Sequence, residues 1–401
     1  MCSCHSVWVP RFEPFRALRY ATDDIGAVTS PPYDVFDENT RADYAAQHAN
    51  NVVHVDYPVE SDGDARYETA AHTLAQWIST AVLVTDATPS FSLYRMSFTD
   101  DAGRPRSTVG VIGALEVVDV GGSGVLPHER TTPKAKTDRL DLTRATRANL
   151  SPVWGLSLTA GLTSLLEEPG DLVSSFVDDD GVTHQIERVS QPTRISAIRY
   201  AVSSHPVLIA DGHHRYAISR TYRDEQRSQS GDNASELTMT YVAELVEEQL
   251  SVAAIHRLYD LSPSQLISAL EGFYVPRAAG PVSAETLQTM DSTSCMCLVD
   301  ASGNGTFLEP VETAFPGVRE MDSARLEYAL RDTTHAVQYQ HGVDEVLHAI
   351  HTGVAQCAVL IRPVSIDEIR RTAHTGDLMP PKSTFFTPKL RTGLVMRSLD
   401  A

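Results

Sequence analysis

Two short stretches of the 401-residue chain gather side chains that can do chemistry. The first is VLIADGHHRY, residues 207–216, where an apolar run ends in Asp211-Gly212 and His213, His214, Arg215 and Tyr216 open a predicted helix. Gly212 can take positive φ and so make a tight turn. The first turn of a helix presents unsatisfied N–H groups and the positive end of the dipole, which together favour an anion. Cations placed there oppose the dipole unless an anion visits. A solvated cap would account for Asp-Gly but not for His-His-Arg, so this turn is read as a phosphate site. The second stretch is His128-Glu129-Arg130-Thr131, followed by Lys134, Lys136, Asp138 and Arg139. A carboxylate among cations is held ionised, which makes Glu129 a candidate base or metal ligand. His128 is a candidate proton shuttle. A solvated charged loop is an equal reading of the same residue types.

Lysine usage points to the same chemistry. Of 33 lysines and arginines only four are lysine, and they fall in two clusters: Lys134 with Lys136, and Lys382 with Lys389 in PPKSTFFTPK. A compact ammonium is the usual point-charge partner of a phosphate, where arginine would bring a planar fork. Lys382, Ser383, Thr384 and Lys389 are therefore read as closing over the site, the alternative being lysines that guard a strand edge. His128, His213, His214 and His256 lack the i, i+4 spacing of helical zinc motifs, so a metal-dependent histidine site ranks lower. No GxxxxGK[ST] and no GxGxxG occurs, which excludes P-loop kinases and Rossmann dehydrogenases.

The elements that must position these residues follow from periodicity. Asp37 caps a helix over 39–48, NVVHVDYP reads as a short strand, and apolar spacing predicts a helix over Ala65–Ser79. Residues 90–118 read as a β-hairpin around the turn DDAG, Asp100-Asp101-Ala102-Gly103. Helices are predicted over 137–149 and 192–203, and VLIADGHHRYAISRTYRDEQ is strand, turn, helix. TMTYVAELV and LSVAAIHRLYD read as strands, and after Ser262 short strands such as CMCLVD and CAVLIRP alternate with modest helices. A boundary is placed near residue 260, giving domains 1–260, with a hairpin insertion near 90–190, and 261–401. Hairpins mixed with helices indicate an α+β fold rather than a regular doubly wound sheet.

PPYDV, LPHERT, DRLDLTRATRANLSPVWGLS, ADGHHRY, His256-Arg257 after a strand, and MPPKSTFFTPKLRTGLV occur in that order over nearly the whole chain. Together they resemble the bacterial and archaeal family catalogued as domain of unknown function 1015. One departure is AISRTY after DGHHRY, where the family pattern has Glu-Thr-Ala. DGHHRYA also resembles the phosphate-binding turn of the ParB and sulfiredoxin superfamily, over about ten residues. That resemblance implies a mixed-sheet ParB/sulfiredoxin-like core with insertions, plus a smaller C-terminal α+β region. Sulfiredoxin chemistry needs a cysteine where His213 stands, and the partition proteins need a basic DNA-binding surface. What the resemblance leaves is a small-molecule phosphotransferase using ATP or ADP, with a serine-like hydroxyl acceptor as in the free-serine kinases. In that reading Gly212, His213, His214, Arg215 and Tyr216 hold the phosphates, and Glu129 takes the acceptor proton. Arg130 with Lys134 or Lys136 neutralises the moving phosphoryl group, and Arg139, His256 and Arg257 contribute to the cofactor site. Asp211 joins the catalytic set, and Asp34 or Asp211 holds Mg²⁺ through water. A phosphatase acting on a phosphorylated metabolite and a non-catalytic nucleotide sensor remain as alternatives.

The net charge of −19 argues against nucleic acid as a partner. No stretch approaches the roughly 18–20 apolar residues of a membrane span. Five scattered cysteines and no signal-peptide pattern at the N-terminus suggest the cytoplasm. Cys2-Ser3-Cys4-His5 is read as a passive terminus rather than a metal clip. The oligomeric state is not readable.

Overall fold

The computed structural model describes residues 9–59, 63, 65–100, 103–127, 136–376, 378–380 and 382–400. The chain divides into two compact units, Met1–Ser251 with Pro388–Ala401, and Val252–Thr387. The division lies upstream of the texture change near residue 260, and the chain returns to the first unit for its last stretch.

The first unit is built on a nine-stranded mixed sheet. Its strands are β1 (Phe12–Glu13), β2 (Phe91–Thr99), β3 (Pro105–Glu116), β4 (Val125–Pro127), β5 (Val153–Ser157), β6 (Asp171–Val177), β7 (Thr183–Val189), β8 (Val207–Asp211) and β9 (Leu237–Glu244). The order is β4-β8-β5-β9-β3-β2-β7-β6, with β1 paired to β3. β8 runs parallel to β4 and antiparallel to β5, and β5 runs parallel to β9, while the pairings from β9 through β6 are antiparallel. The α+β class with a mixed sheet is thus as read from the sequence.

The helices of this unit used below are α1 (Glu38–Gln47), α2 (Val53–Asp56), α3 (Ala65–Ser79), α4 (Lys136–Thr146), α5 (Pro192–Val202) and α6 (His213–Ser230). Alternation along the strands sends Phe91, Leu93, Val111, Val153, Val207 and Val242 into one core, together with Ile198 and Val202 of α5. Tyr94, Trp154 and Tyr241 form a second packed cluster, with Trp154 and Tyr241 edge-on at 5.4 Å. Gly110 of β3 makes room for it. A Cβ there would lie 2.3 Å from the Tyr241 ring.

Two sequence expectations are corrected. NVVHVDYP is not a strand: Val53–Asp56 forms the short helix α2, whose first N–H is taken by the Asn51 side chain at 3.0 Å. Val53 and Val55 are fully buried, so tertiary burial outweighs their β preference. The helix expected over 137–149 ends at Thr146. Arg147 takes positive φ (49°), and Ala148–Asn149 pairs instead with Arg397–Ser398 from the far end of the chain. The Asp37 cap, the helix Ala65–Ser79, the 91–116 hairpin and the 207–230 strand-turn-helix stand as expected.

The second unit carries a six-stranded antiparallel sheet of β10 (Ile255–Tyr259), β11 (Tyr274–Pro281), β12 (Met296–Val299), β13 (Asn304–Pro310), β14 (Val337–His341) and β15 (Cys357–Leu360). Its order is β11-β13-β12-β15-β10-β14. Period-2 burial separates two cores. Met296, Leu298 and Val359 join one, while Cys297, Val299 and Ala358 join the other. Among the described residues no helix is long and apolar enough to cross a membrane.

Candidate functional site

Four buried residues of β8 lead to the half-buried Asp211, and Gly212 breaks the direction of the chain with φ 81° and ψ 28°. Only glycine takes that conformation cheaply. Gly212 is also the N-cap of α6, and no side chain caps the helix there. His213, His214 and Arg215 occupy the first turn, which holds no acidic residue. A second constraint acts on Gly212, because a Cβ would stand 2.9 Å from Arg215 Nε. The guanidinium folds back over the turn.

That fold-back is driven by charge. Arg215 Nη2 lies 3.5 Å from Asp211 Oδ2, and Arg215 Nη1 donates to the Pro152 carbonyl. The same Asp211 oxygen accepts from Lys389 Nζ at 3.1 Å, and Asp211 Oδ1 accepts from the Gly212 N–H at 2.8 Å. Burial alone would raise the Asp211 carboxyl. The charges of Lys389 and Arg215 and the two hydrogen bonds outweigh it and hold the group far below the usual carboxylate range. Burial also works against the charge on Arg215, but Asp211, Asp34, Tyr33 and Asp56 reverse the effect and keep it protonated.

Beside this turn lies a second charged group. Arg139 of α4 is buried, donates to the Asp56 carbonyl and lies 3.3 Å from Asp56 Oδ1. Its guanidinium carbon sits 3.4 Å from the centroid of the Tyr33 ring, a stacked cation–π arrangement. Burial pushes the Asp56 carboxyl up, with Arg139 and Arg215 opposing. Asp138 accepts from Arg66 Nη2 and from the Tyr67 hydroxyl, both at 2.8 Å. Tyr33, Asp56, Arg139, Ser151, Arg215 and Ser219 line a cavity of about 50 Å³. That space is well short of a typical ligand pocket of about 300 Å³ or more.

Of the residues chosen from sequence, the structure gathers Asp34, Arg139, Asp211, Gly212, His213, His214, Arg215 and Lys389 in the first unit. Asp34 is exposed and acts on Arg215 through its charge. His128, Glu129, Arg130 and Lys134 lie outside the described residues, as do the side chain of Lys136 and the Cys2–His5 stretch. Tyr216 is part of the core: it is buried, its hydroxyl donates to the Glu116 carbonyl at 3.0 Å and accepts from the Val118 N–H at 2.8 Å. One turn of helix past Gly212, position 216 faces the sheet.

His256, Arg257, Lys382, Ser383 and Thr384 belong to the second unit. His256 is buried on β10, its Nδ1 accepts from the Ile361 N–H at 3.2 Å, and burial followed by Arg257 and His341 pushes its pKa down to about 4. Arg257 donates to the carbonyls of Ile255 and Lys382. The Ser383 hydroxyl donates to the Pro380 carbonyl at 2.8 Å.

Asp211 has both oxygens engaged by N–H donors and cations, and among the described residues no three His, Cys, Asp or Glu side chains converge to hold a metal. Tyr33 and Asp56 escaped the sequence reading. Tyr33 lies inside the PPYDV block, where an aromatic ring beside a turn was the available signal. Asp56 sat in a supposed strand, where a lone aspartate gives no signal.

The family model described as "Protein of unknown function (DUF1015)" matches residues 12–324. No curated protein matches the chain. Among solved structures, a free serine kinase variant in complex with ADP is 12% identical, with a TM-score of 0.38 over 66% of this chain and 84% of that one. SbnI from Staphylococcus aureus, with a C-terminal truncation, is 12% identical, with a TM-score of 0.36 over 70% of this chain and 84% of that one. A conserved hypothetical protein from Pyrococcus furiosus is 11% identical, with a TM-score of 0.36 over 66% and 87%. TM-scores at this level describe a loose likeness.

Proposed function

We propose that this chain, which belongs to the DUF1015 family of proteins of unknown function, binds the phosphates of ATP or ADP at the β8–α6 turn and transfers a phosphoryl group to the hydroxyl of a small metabolite. One observation carries the reading. The helix that starts at Gly212 places His213, His214 and Arg215 in its first turn, and Lys389 comes to the same turn from 178 residues away. Two of these four donors already meet Asp211, and the group as a whole leaves an excess of cationic and ring-nitrogen donors at one helix N-terminus, which suits a polyanion.

The reaction asks little of covalent chemistry. The acceptor oxygen forms a bond to phosphorus as the bridging P–O bond breaks, and the acceptor proton passes to a base. In this proposal Glu129 takes that role. Catalysis is then positioning and charge neutralisation, which Lys389 and Arg215 supply here. Asp211 contributes indirectly, by orienting both cations. A serine-like hydroxy acid is the acceptor class of this proposal.

The test is thermal stabilisation by ADP and ATP, followed by ³¹P NMR of mixtures with hydroxyl acceptors. A ligand at 100 times its Kd stabilises by about 2.7 kcal/mol, a readily measured shift. Stabilisation in the wild type that is lost in His214→Ala supports the turn as the phosphate site. No stabilisation by either nucleotide refutes the proposal.

A further inference from the structure

Lys389 is carried by a strap, residues 388–400, that threads back through the first unit. Its fastenings lie mostly downstream of the lysine. Thr392 N donates to the Ser30 carbonyl at 2.8 Å, Met396 and Leu18 exchange backbone hydrogen bonds at 2.9 and 3.0 Å, and Arg397 donates to the carbonyls of Leu237 and Ala234 at 2.8 Å. Closest to Lys389 is Arg391, whose guanidinium donates to the Thr29 carbonyl at 2.8 Å. Its backbone N–H takes a different kind of partner, the hydroxyl of Tyr94 on β2, at 3.2 Å.

That hydroxyl is the buried end of a line of three side chains. Tyr94 Oη lies 2.8 Å from His184 Nδ1, and His184 Nε2 lies 2.8 Å from Asp178 Oδ2. Asp178 sits in the turn between β6 and β7, where its other oxygen accepts from the N–H groups of Asp180 and Val182. The Phe176 ring stacks on His184 at 5.0 Å. Tyr94 and His184 are essentially inaccessible to water.

Donor counting gives the line a direction. An ionised carboxylate only accepts, so His184 carries its proton on Nε2. The neutral imidazole then accepts at Nδ1, and the Tyr94 O–H must donate to it. This leaves the Tyr94 oxygen facing the Arg391 N–H as an acceptor. Burial, with the charge of Arg391, favours the neutral imidazole, while Asp178 and Asp180 oppose; the balance lowers the pKa and maintains this arrangement. An apolar trio of the same shape would fill the space without the desolvation cost of three polar groups. What the polar trio adds is one acceptor at one place on the strap.

We propose that Asp178, His184 and Tyr94 form a positioning relay that fixes the strap at Arg391 and so holds Lys389 against Asp211. Its functional meaning rests on the proposed phosphate role of Lys389; the relay itself does not. His184 and Tyr94 are positioning residues here.

The test reads Lys389 directly, without nucleotide. The full-length protein is acylated briefly with an amine-reactive ester, and the rate at each lysine is followed by mass spectrometry, with Lys382 as internal reference. In the wild type Lys389 should react slowly, being 15% exposed and ion-paired. Tyr94→Phe, which removes one oxygen and keeps the ring, should raise the Lys389 rate about tenfold, the worth of one buried hydrogen bond. His184→Leu should do the same, and the double variant no more than either, since one line is being cut. His184→Gln, which keeps an acceptor for the Tyr94 hydroxyl, should restore part of the protection, which a purely packing role would not. Wild-type Lys389 rates in Tyr94→Phe overturn the proposal, and that variant decides if His184→Leu does not fold. Should the rate respond while nucleotide affinity does not, the relay stands and the phosphate role of Lys389 falls.

Discussion

Lys389→Ala separates the structural from the chemical value of the site. At 3.1 Å and an effective dielectric near 20, the Lys389–Asp211 attraction is about 5 kcal/mol gross, an upper bound on what the pair contributes. The net loss is smaller, because Asp211 keeps Arg215 at 3.5 Å and the Gly212 N–H at 2.8 Å. A cost of about 1–2 kcal/mol in folding stability is expected, below the range for orphaning a fully buried charge. Binding should suffer more visibly. A hydrogen bond to a charged phosphate oxygen is worth about 1.5–3 kcal/mol, which is about 10- to 150-fold in Kd. Isothermal titration with ADP on wild type and variant, after checking that both unfold cooperatively, gives both numbers. Lys389→Arg should rescue only part of the affinity, since the planar fork cannot replace a point charge at the same reach. A folded Lys389→Ala that binds ADP with wild-type affinity refutes the reasoning. The pH dependence has a fixed sign. Asp211 is depressed in the folded state, so its contribution is complete above its unfolded pKa near 4 and is lost as the pH falls further. In Lys389→Ala the acid limb of the stability curve should be shallower.

Other expectations follow from the same geometry. Gly212→Ala must take a left-handed conformation, costing about 1–2 kcal/mol, and displace Arg215; thermal melts and ADP titration should both fall, and an unchanged ADP affinity would detach Arg215 from the site. Gly110→Ala drives a Cβ into the Tyr241 ring and should cost about 1–3 kcal/mol or more in urea unfolding with little local effect on ADP affinity. His256, with a folded pKa of about 4 and an ordinary value of 6.5, favours the folded second unit above pH 6.5 and gives that up as the pH falls towards 4. The linkage is worth about 2 kcal/mol between pH 7 and 5. His256→Asn, which retains an acceptor for the Ile361 N–H, should flatten that slope, and an equal slope in both proteins would remove His256 as its source.

Much of the framework was legible because it rests on local rules. The apolar run ending in Asp211-Gly212 had to be a strand running into a turn, and a helix had to follow. Asp37 caps its helix through Thr40 N at 2.9 Å, as its position before Glu38 suggests. Where the sequence misled, distant residues decided. Val53–Asp56 carries a strand-like pattern but is pinned as a helix by Asn51, itself held by the carbonyls of Ala27 and Thr29. The helix from Lys136 stops early because a strand segment from residues 397–398 claims Ala148 and Asn149. The PPKSTFFTPK block reads as one motif, yet its two lysines fall in different units, with Lys389 alone meeting Asp211. Nothing local separates Lys382 from Lys389. Tyr216 shows the opposite failure, a residue credited with binding because of its neighbours while its own position on the helix turns it into the core.

The separation of 178 residues between Asp211 and Lys389 also sets an order of events during synthesis. At about 5–20 residues per second, the ribosome exposes the turn roughly 10–35 s before it makes the lysine that completes it. The whole second unit is translated in that interval. A chain cut short anywhere within it keeps His213, His214 and Arg215 but never receives its last cation. Under the proposed function the phosphate site therefore reaches full strength only once Lys389 has been made, and a chain that stops before it should hold nucleotide as weakly as Lys389→Ala.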